Sequence, residues 1–290
     1  MAMINTYIYE RPKFNTKLGF KGSNSNINGT TKDILSLTKA EPNSSKNELE
    51  KILDFKLKVG FITPEHYNKI INGRIGNLYQ LDQDFRDAFN KFNFPRNFKT
   101  TMDGDLMIFH YSQRGCYKLN ETLRNEKPLS TSLKIFKDGL DEGLDKLPDY
   151  KGIVYRSSIC PEIDALNPGD VYKPKQYISA SKNIELAEGR LPIEGCLFVI
   201  KSKTGKFTED IKQQSNYEKE VLFKPTSSFK LLKKTTEGDN KIIYLEEISE
   251  EKINKPDSTK NKKTIDLREL LTLICETIHV QINSMKKNTI

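Results

Sequence analysis

Apolar residues recur at helical spacing along the first half of the chain and at strand spacing along the second. Leu49, Ile52 and Leu53 follow a capping-box pattern at Ser45-Lys-Asn-Glu48, which predicts a helix ending at Gly60. Thr63 offers an N-cap with Pro64 at the first helical position, and Gly73 closes that second helix. A third is predicted from Asp82 to Phe92, before Phe94-Pro95 breaks it. Between residues 104 and 147, three apolar groups keep the helical period: Leu106, Ile108 and Tyr111; Tyr117, Leu119 and Leu123; Leu133, Phe136, Leu140 and Leu144. An interruption falls near Gly115. After Pro148-Asp149 the texture changes to short β-like runs at 152–157, 176–181, 196–202, 220–224, 229–235 and 241–248, with turn residues between them. Helices first and strands after, without βαβ alternation, predict an α+β fold with a mainly antiparallel sheet system.

The flanking segments read differently. Residues 1–45 are polar and without periodicity, and are expected to form a disordered leader ahead of a helical region at 46–100. Residues 250–263 form a charged linker, and Leu267, Leu270, Leu271, Ile274 and Ile278 mark one face of a terminal amphipathic helix at 264–290. Its expected place is on the chain's own domain, with a partner or a membrane surface as the alternative. No uninterrupted apolar run of about 18 residues exists, so no membrane span is predicted. The start, MAMINTYIYERPKFN, has no apolar core of a secretory signal.

Charge and cysteines narrow the function classes. Lys and Arg number 47 against 39 Asp and Glu, but only nine of the cations are Arg and the Lys are scattered. That is a solvated surface rather than a nucleic-acid stripe, so no nucleic-acid partner is expected. Cys116, Cys160, Cys196 and Cys275 stand far apart without CxxC spacing, beside three His, so reduced thiols are expected and no metal.

The chemistry-bearing residues lie among the strands. Glu218 and Glu220 flank Lys219 just before Val221-Leu-Phe223; on a strand, side chains at i and i+2 share a face. Two carboxylates together repel, which suits acid–base or cation-stabilising work better than packing. An exposed strand end is the bland alternative. Arg156 ends the apolar run Gly152-Ile-Val-Tyr155, where a cation calls for an anionic partner or a phosphate. Ser179 and Ser181 put two hydroxyls on one face of another run, able to orient a carboxylate or a ribose.

An aromatic-Arg pair, then aromatic-x-Ser-x-Ser, then Glu-x-Glu before Val-Leu-Phe resembles the Arg–Ser–Glu class of mono-ADP-ribosyltransferases, and in particular its bacterial toxin and effector members. Ile108-Phe-His-Tyr111-Ser, Gly115, Tyr117, Asn120 and Leu123-Arg124 are similar to that family's helical region. Gly169-Asp170 ahead of the Ser motif and Tyr217 ahead of the Glu pair agree with it, over about residues 104–248. Two positions depart: Ser157 stands where a Gly commonly follows the motif Arg, and Ala180 replaces the middle hydroxyl of Ser-Thr-Ser.

The resemblance implies a catalytic domain at 101–249, with a helical lobe before a two-sheet β core that holds NAD⁺ as substrate. It implies that Glu220 stabilises the ribose cation, that Ser179 and Ser181 serve the ribose and Glu220, and that Arg156 anchors the phosphates. Arg190 matches a loop cation of the cofactor site, and Gln213–Tyr217 a substrate-recognition turn with Tyr217 as a contact. Glu218 matches the position that accompanies arginine acceptors. The implied function is mono-ADP-ribosylation of an arginine on a target protein, by an effector delivered through a specialised bacterial secretion machine into the reducing cytosol of another cell. An inhibitor or chaperone is a further implied partner. NAD⁺ glycohydrolysis and a non-catalytic basic binding protein are the alternative readings.

Overall fold

The computed structural model describes residues 47–212, 217–237 and 240–248. The expected leader, charged linker and terminal helix, with Cys275 and the turn at Gln213–Asn216, lie outside the described residues. Seven helices come first: α1 (Glu48–Lys58), α2 (Pro64–Asn72), α3 (Arg74–Leu81), α4 (Gln83–Lys91), α5 (Met102–His110), α6 (Cys116–Arg124) and α7 (Thr131–Lys146). The strands are β1 (Asp149–Ser158), β2 (Val171–Tyr172), β3 (Ile178–Ser181), β4 (Cys196–Phe207), β5 (Glu220–Phe223), β6 (Ser228–Glu237) and β7 (Asn240–Ile248). Three short helices intervene, α8 (Pro161–Asp164), α9 (Ile184–Gly189) and α10 (Glu209–Lys212).

The helix starts follow from local chemistry, with two corrections. The capping box of α1 is Asn47 with Glu50, two residues later than expected: Glu50 N donates to Asn47 Oδ1 at 2.9 Å and Asn47 N to Glu50 Oε2 at 3.0 Å. Thr63 caps α2 and Asp82 caps α4 as the pattern implied. The second correction is α3, where the sequence suggested a break. Gly73 ends α2 and also serves as the N-cap of α3, so one residue carries both boundaries.

The helix does not break at Gly115 either; it widens. Tyr111–Gly115 forms a π-helical turn between α5 and α6. A Cβ on Gly115 would come within 2.8 Å of His110 Nε2, so only glycine lets the ring lie there. His110 is buried between the rings of Phe85 and Phe136, and burial pulls its pKa down to about 4. It is a neutral core residue.

One apolar cluster runs through α1–α7 and takes in Tyr177, Ile211 and Leu222 from the β half. The helices are thereby seated on the sheet by hydrophobic burial, the main favourable force available to them. Helices α5 and α7 approach so closely that Gly104 and Gly143 face each other backbone to backbone.

All strands of the described residues join one seven-stranded sheet in the order β1-β3-β5-β4-β7-β6-β2, and β1 also pairs with β4. Strands β3 and β5 join the others at strand ends, through Tyr155 with Ser181 and through Lys206 and Phe207 with Leu222 and Val221. The twelve-residue β4 is long enough to pair with β1 over 196–206 and with β5 at Lys206 and Phe207, which links the two halves. Pairing is antiparallel except between β4 and β7. Strands β1, β3, β5 and β4 close on one another, and the site is built where β1, β3 and β5 run side by side. Among the described residues, no helix is long and apolar enough to cross a membrane, and Cys116, Cys160 and Cys196 form no disulfide.

Candidate active site

Strand pairing brings the sequence-distant motifs together. Tyr155 stands opposite Ser181 across β1 and β3, and Ser181 opposite Glu220 across β3 and β5. Arg156, Ser179, Ser181, Arg190, Glu218 and Glu220 line one cavity of about 100 Å³. Arg156 also lines a second cavity, of about 640 Å³, whose walls include Arg124, Tyr172, Phe198 and Phe229. Of the residues that line the two cavities, Arg156 is common to both.

Glu220 is 8% exposed, and each carboxylate oxygen has a hydroxyl donor. Ser179 Oγ donates to Oε1, and Thr208 Oγ1 donates to Oε2 at 2.9 Å. Its backbone is tied as well, Glu220 N donating to Glu209 Oε2 at 3.1 Å and Thr208 N to Glu220 O at 3.1 Å. A carboxylate held on both oxygens and at its backbone is preorganised and points a fixed charge into the cavity.

Glu218 is not on the strand. β5 begins at Glu220, and Lys219 before it takes a left-handed backbone, φ 43°. The two carboxylates therefore reach the same space through a turn rather than through strand alternation. For a residue other than glycine this conformation costs about 1 kcal/mol or more. Two hydrogen bonds hold the turn: Lys182 N donates to Lys219 O at 3.1 Å, and Ser181 Oγ to Glu218 O at 2.6 Å. Ser181 also accepts from Asn183 N at 2.8 Å. Its hydroxyl joins two loops, whereas that of Ser179 faces Glu220.

Both oxygens of Glu218 are ion-paired. Arg190 Nη2 donates to Oε1 at 2.7 Å, and Lys212 Nζ donates to Oε2. Burial alone would raise its pKa, but Arg190 and Lys212 outweigh that and hold it at about 2. Arg156 donates Nη1 to Ser179 O at 2.7 Å, which fixes the guanidinium against β3. Burial pulls its pKa below the ordinary value. Tyr217 is 56% exposed, outside the cavity.

Three residues of this arrangement had no reading in the sequence: Thr208, Glu209 and Lys212. Glu209 and Lys212 are one turn apart on α10, and both are buried. Nothing in their spacing marks them, because a charged pair on one helical turn is common on any surface.

Residues 71–253 match the family described as NAD:arginine ADP-ribosyltransferase. The chain belongs to that family. It is 30% identical over 165 residues, 54% of this chain and 32% of the relative, to the NAD(+)–protein-arginine ADP-ribosyltransferase Tre1 of Pseudomonas putida. To the protein of the same name from Serratia proteamaculans it is 26% identical over 144 residues, 48% of this chain and 31% of the relative. The chain spans a third or less of the length of the curated relatives it matches. Among solved structures it is similar in fold to exoenzyme S from Pseudomonas aeruginosa, solved with human 14-3-3 protein beta and bound to carba-NAD. The TM-score is 0.51 at 17% identity, over 67% of this chain and 94% of the other. The ADP-ribosyltransferase fold, helices packed on an antiparallel-rich sheet, is what this chain and that one share.

Proposed function

We propose that this ADP-ribosyltransferase-family chain cleaves NAD⁺ at the nicotinamide–ribose bond and transfers ADP-ribose to an arginine side chain of a protein. The observation that carries the reading is the pair of unequal carboxylates in one cavity. Glu220 is buried and fixed by Ser179 and Thr208, while Glu218 is part-exposed and held ionised.

NAD⁺ already carries a good leaving group, a cationic nicotinamide, so its loss leaves an oxocarbenium-like ribose that needs negative charge nearby. In this reading Glu220 supplies that charge and accepts a ribose hydroxyl, and Ser179 keeps the carboxylate in place. Arg156 holds the phosphates with a planar fork of donors, which a point cation could not copy. Its place between the two cavities suits a dinucleotide laid across it, with adenosine in the larger space and the reacting ribose in the smaller. Ser181 and Arg190 stand at the wall of the smaller cavity. Ser181 serves by fixing the turn that carries Glu218, and Arg190 by exchanging its hold on Glu218 for the incoming ligands.

Glu218 then receives the acceptor. A guanidinium is fully protonated at neutral pH and is a poor nucleophile until it is oriented and relieved of a proton. The carboxylate does both: the guanidine nitrogen bonds to C1′, the C1′–nicotinamide bond breaks, and the proton passes to Glu218. In this reading the exposed Tyr217 touches the target protein. No metal enters these steps.

A second reading, NAD⁺ glycohydrolysis, draws on the same structure. Glu218 is occupied on both oxygens by the chain's own cations, so without an acceptor the ribose is left to water. The test is to incubate the protein with NAD⁺, with and without an arginine-bearing protein or a small guanidine, following nicotinamide release and arginine adducts by mass spectrometry. Acceptor-stimulated release with an adduct on arginine supports transfer; release that ignores the acceptor supports hydrolysis. Delivery into another cell, as by toxin and effector members, extends the proposal, and target identification in recipient-cell lysate tests it.

A further inference from the structure

Three carboxylates converge on a cation that the chemistry above does not use. Lys212 is 3% exposed. Its Nζ pairs with Glu218 Oε2, and lies 3.5 Å from Glu220 Oε2 and 3.9 Å from Glu209 Oε2. Burying an ammonium is costly, and for packing alone an apolar side chain would be better; Ile211 beside it is buried in the helical core. The site has spent that cost on a fixed positive charge between the two carboxylates of the Glu pair.

The need is physical. Two carboxylates brought together drive each other toward the protonated form, and at least one titrates upward unless a cation lies between them. Both must be ionised at once in the proposed reaction, Glu220 for the ribose cation and Glu218 for the acceptor's proton. Arg190 cannot supply the cation throughout. It is half-exposed, touches only Glu218 of the pair, and occupies the oxygen an acceptor guanidinium would take. Lys212 is enclosed, so it stays when Arg190 leaves.

We propose that Lys212 is a positioning residue that holds Glu218 and Glu220 ionised together. The inference rests on the transfer reading above and deepens it.

The other charged groups around Lys212 are accounted for. On its own helix, Asp210 is exposed and pairs with Lys99 at 3.6 Å, while Glu209 is buried and binds Glu220 N. From α5, Asp105 accepts from Lys99 N, Thr100 N and Thr100 Oγ1. Tyr111 is buried with its hydroxyl accepting from Asn120, and burial raises its pKa, so it stays neutral. Burial alone would lower the pKa of Lys212, but Glu220, Glu218 and Glu209 outweigh it and raise it. The cation therefore persists across the working range.

The experiment is the pH profile of arginine modification by the full chain, wild type against K212M, K212Q and K212R, with folding checked by thermal melts. For K212M and K212Q the acidic limb of kcat/KM for the acceptor should move up by about one pH unit or more, with activity returning toward alkaline pH. K212R should keep the wild-type limb. A loss equal at every pH, or an unmoved limb, overturns the inference. If neither neutral variant folds while K212R does, the lysine serves the fold and the inference falls. Wild-type protein that forms no arginine adduct sinks the transfer reading itself, whereas an active wild type with an unmoved limb sinks only the role of Lys212.

Discussion

Glu218→Gln tests the division of labour between the two carboxylates. The substitution keeps the shape and removes the charge that faces Arg190 at 2.7 Å and Lys212. The acceptor loses both its orienting anion and its proton acceptor, and general-base assistance is typically worth about 10²–10⁴ in rate. We expect arginine modification to fall about 10²–10³-fold. Glu220 keeps its bonds to Ser179 and Thr208, so acceptor-free NAD⁺ cleavage should fall by less than about tenfold. The variant also carries a stability signature. A carboxyl held at about 2 rather than 4.5 stabilises the fold above the unfolded value, and the contribution is lost as pH falls from there toward about 2. At full weight that shift is about 3 kcal/mol. Glu218 is 35% exposed, and solvent screening brings the figure to ~1–2 kcal/mol. The melting temperature should therefore drop by a few degrees at pH 7, and the gap from wild type should close near pH 2–3. One preparation suffices, assayed for nicotinamide release with and without acceptor and melted at two pH values. Equal losses in both assays would refute the separation of roles, and undiminished arginine modification would remove Glu218 from the acceptor site.

Three further outcomes are expected. Glu220→Gln should lower both transfer and acceptor-free cleavage by about 10²–10³-fold with the fold retained; a folded variant with near wild-type nicotinamide release contradicts the catalytic assignment. Arg156→Lys keeps the charge but loses the donor to Ser179 O and the planar fork, so calorimetry should show NAD⁺ affinity weakened about ten- to a hundredfold, and unchanged affinity would take Arg156 out of the cofactor site. Gly143→Ala would set a Cβ 2.7 Å from Gly104 Cα, forcing α5 and α7 apart, and should cost about 1–3 kcal/mol in chemical denaturation; an unchanged midpoint would show that the helices yield freely.

Much of the fold was legible because local patterns and tertiary demands agree. The six apolar runs all became strands, since each alternates or is apolar enough to be buried in a sheet. β2 was missed because two residues, Val171 and Tyr172, carry no period of their own and pair only where β6 is already present. α3 was missed because a glycine that ends one helix and begins the next reads as a stop.

By itself the sequence determined which side chains a strand turns to one face. Arg156, Ser179 and Glu220 sit at strand positions whose alternation sets the facing of each side chain, and period two is a local property. Tertiary structure alone decided how they meet. The left-handed Lys219 swings Glu218 toward Glu220 from outside the strand, and Ser181 is spent on holding that turn. Thr208 and Lys212 reach Glu220 from α10 and the residue before it, only because β4 runs on past β1 to pair with β5. Whether a charge is exposed or enclosed depends on what packs over it. Lys212 therefore looks like any surface lysine along the chain, and becomes a buried counter-ion once the helices close on the sheet.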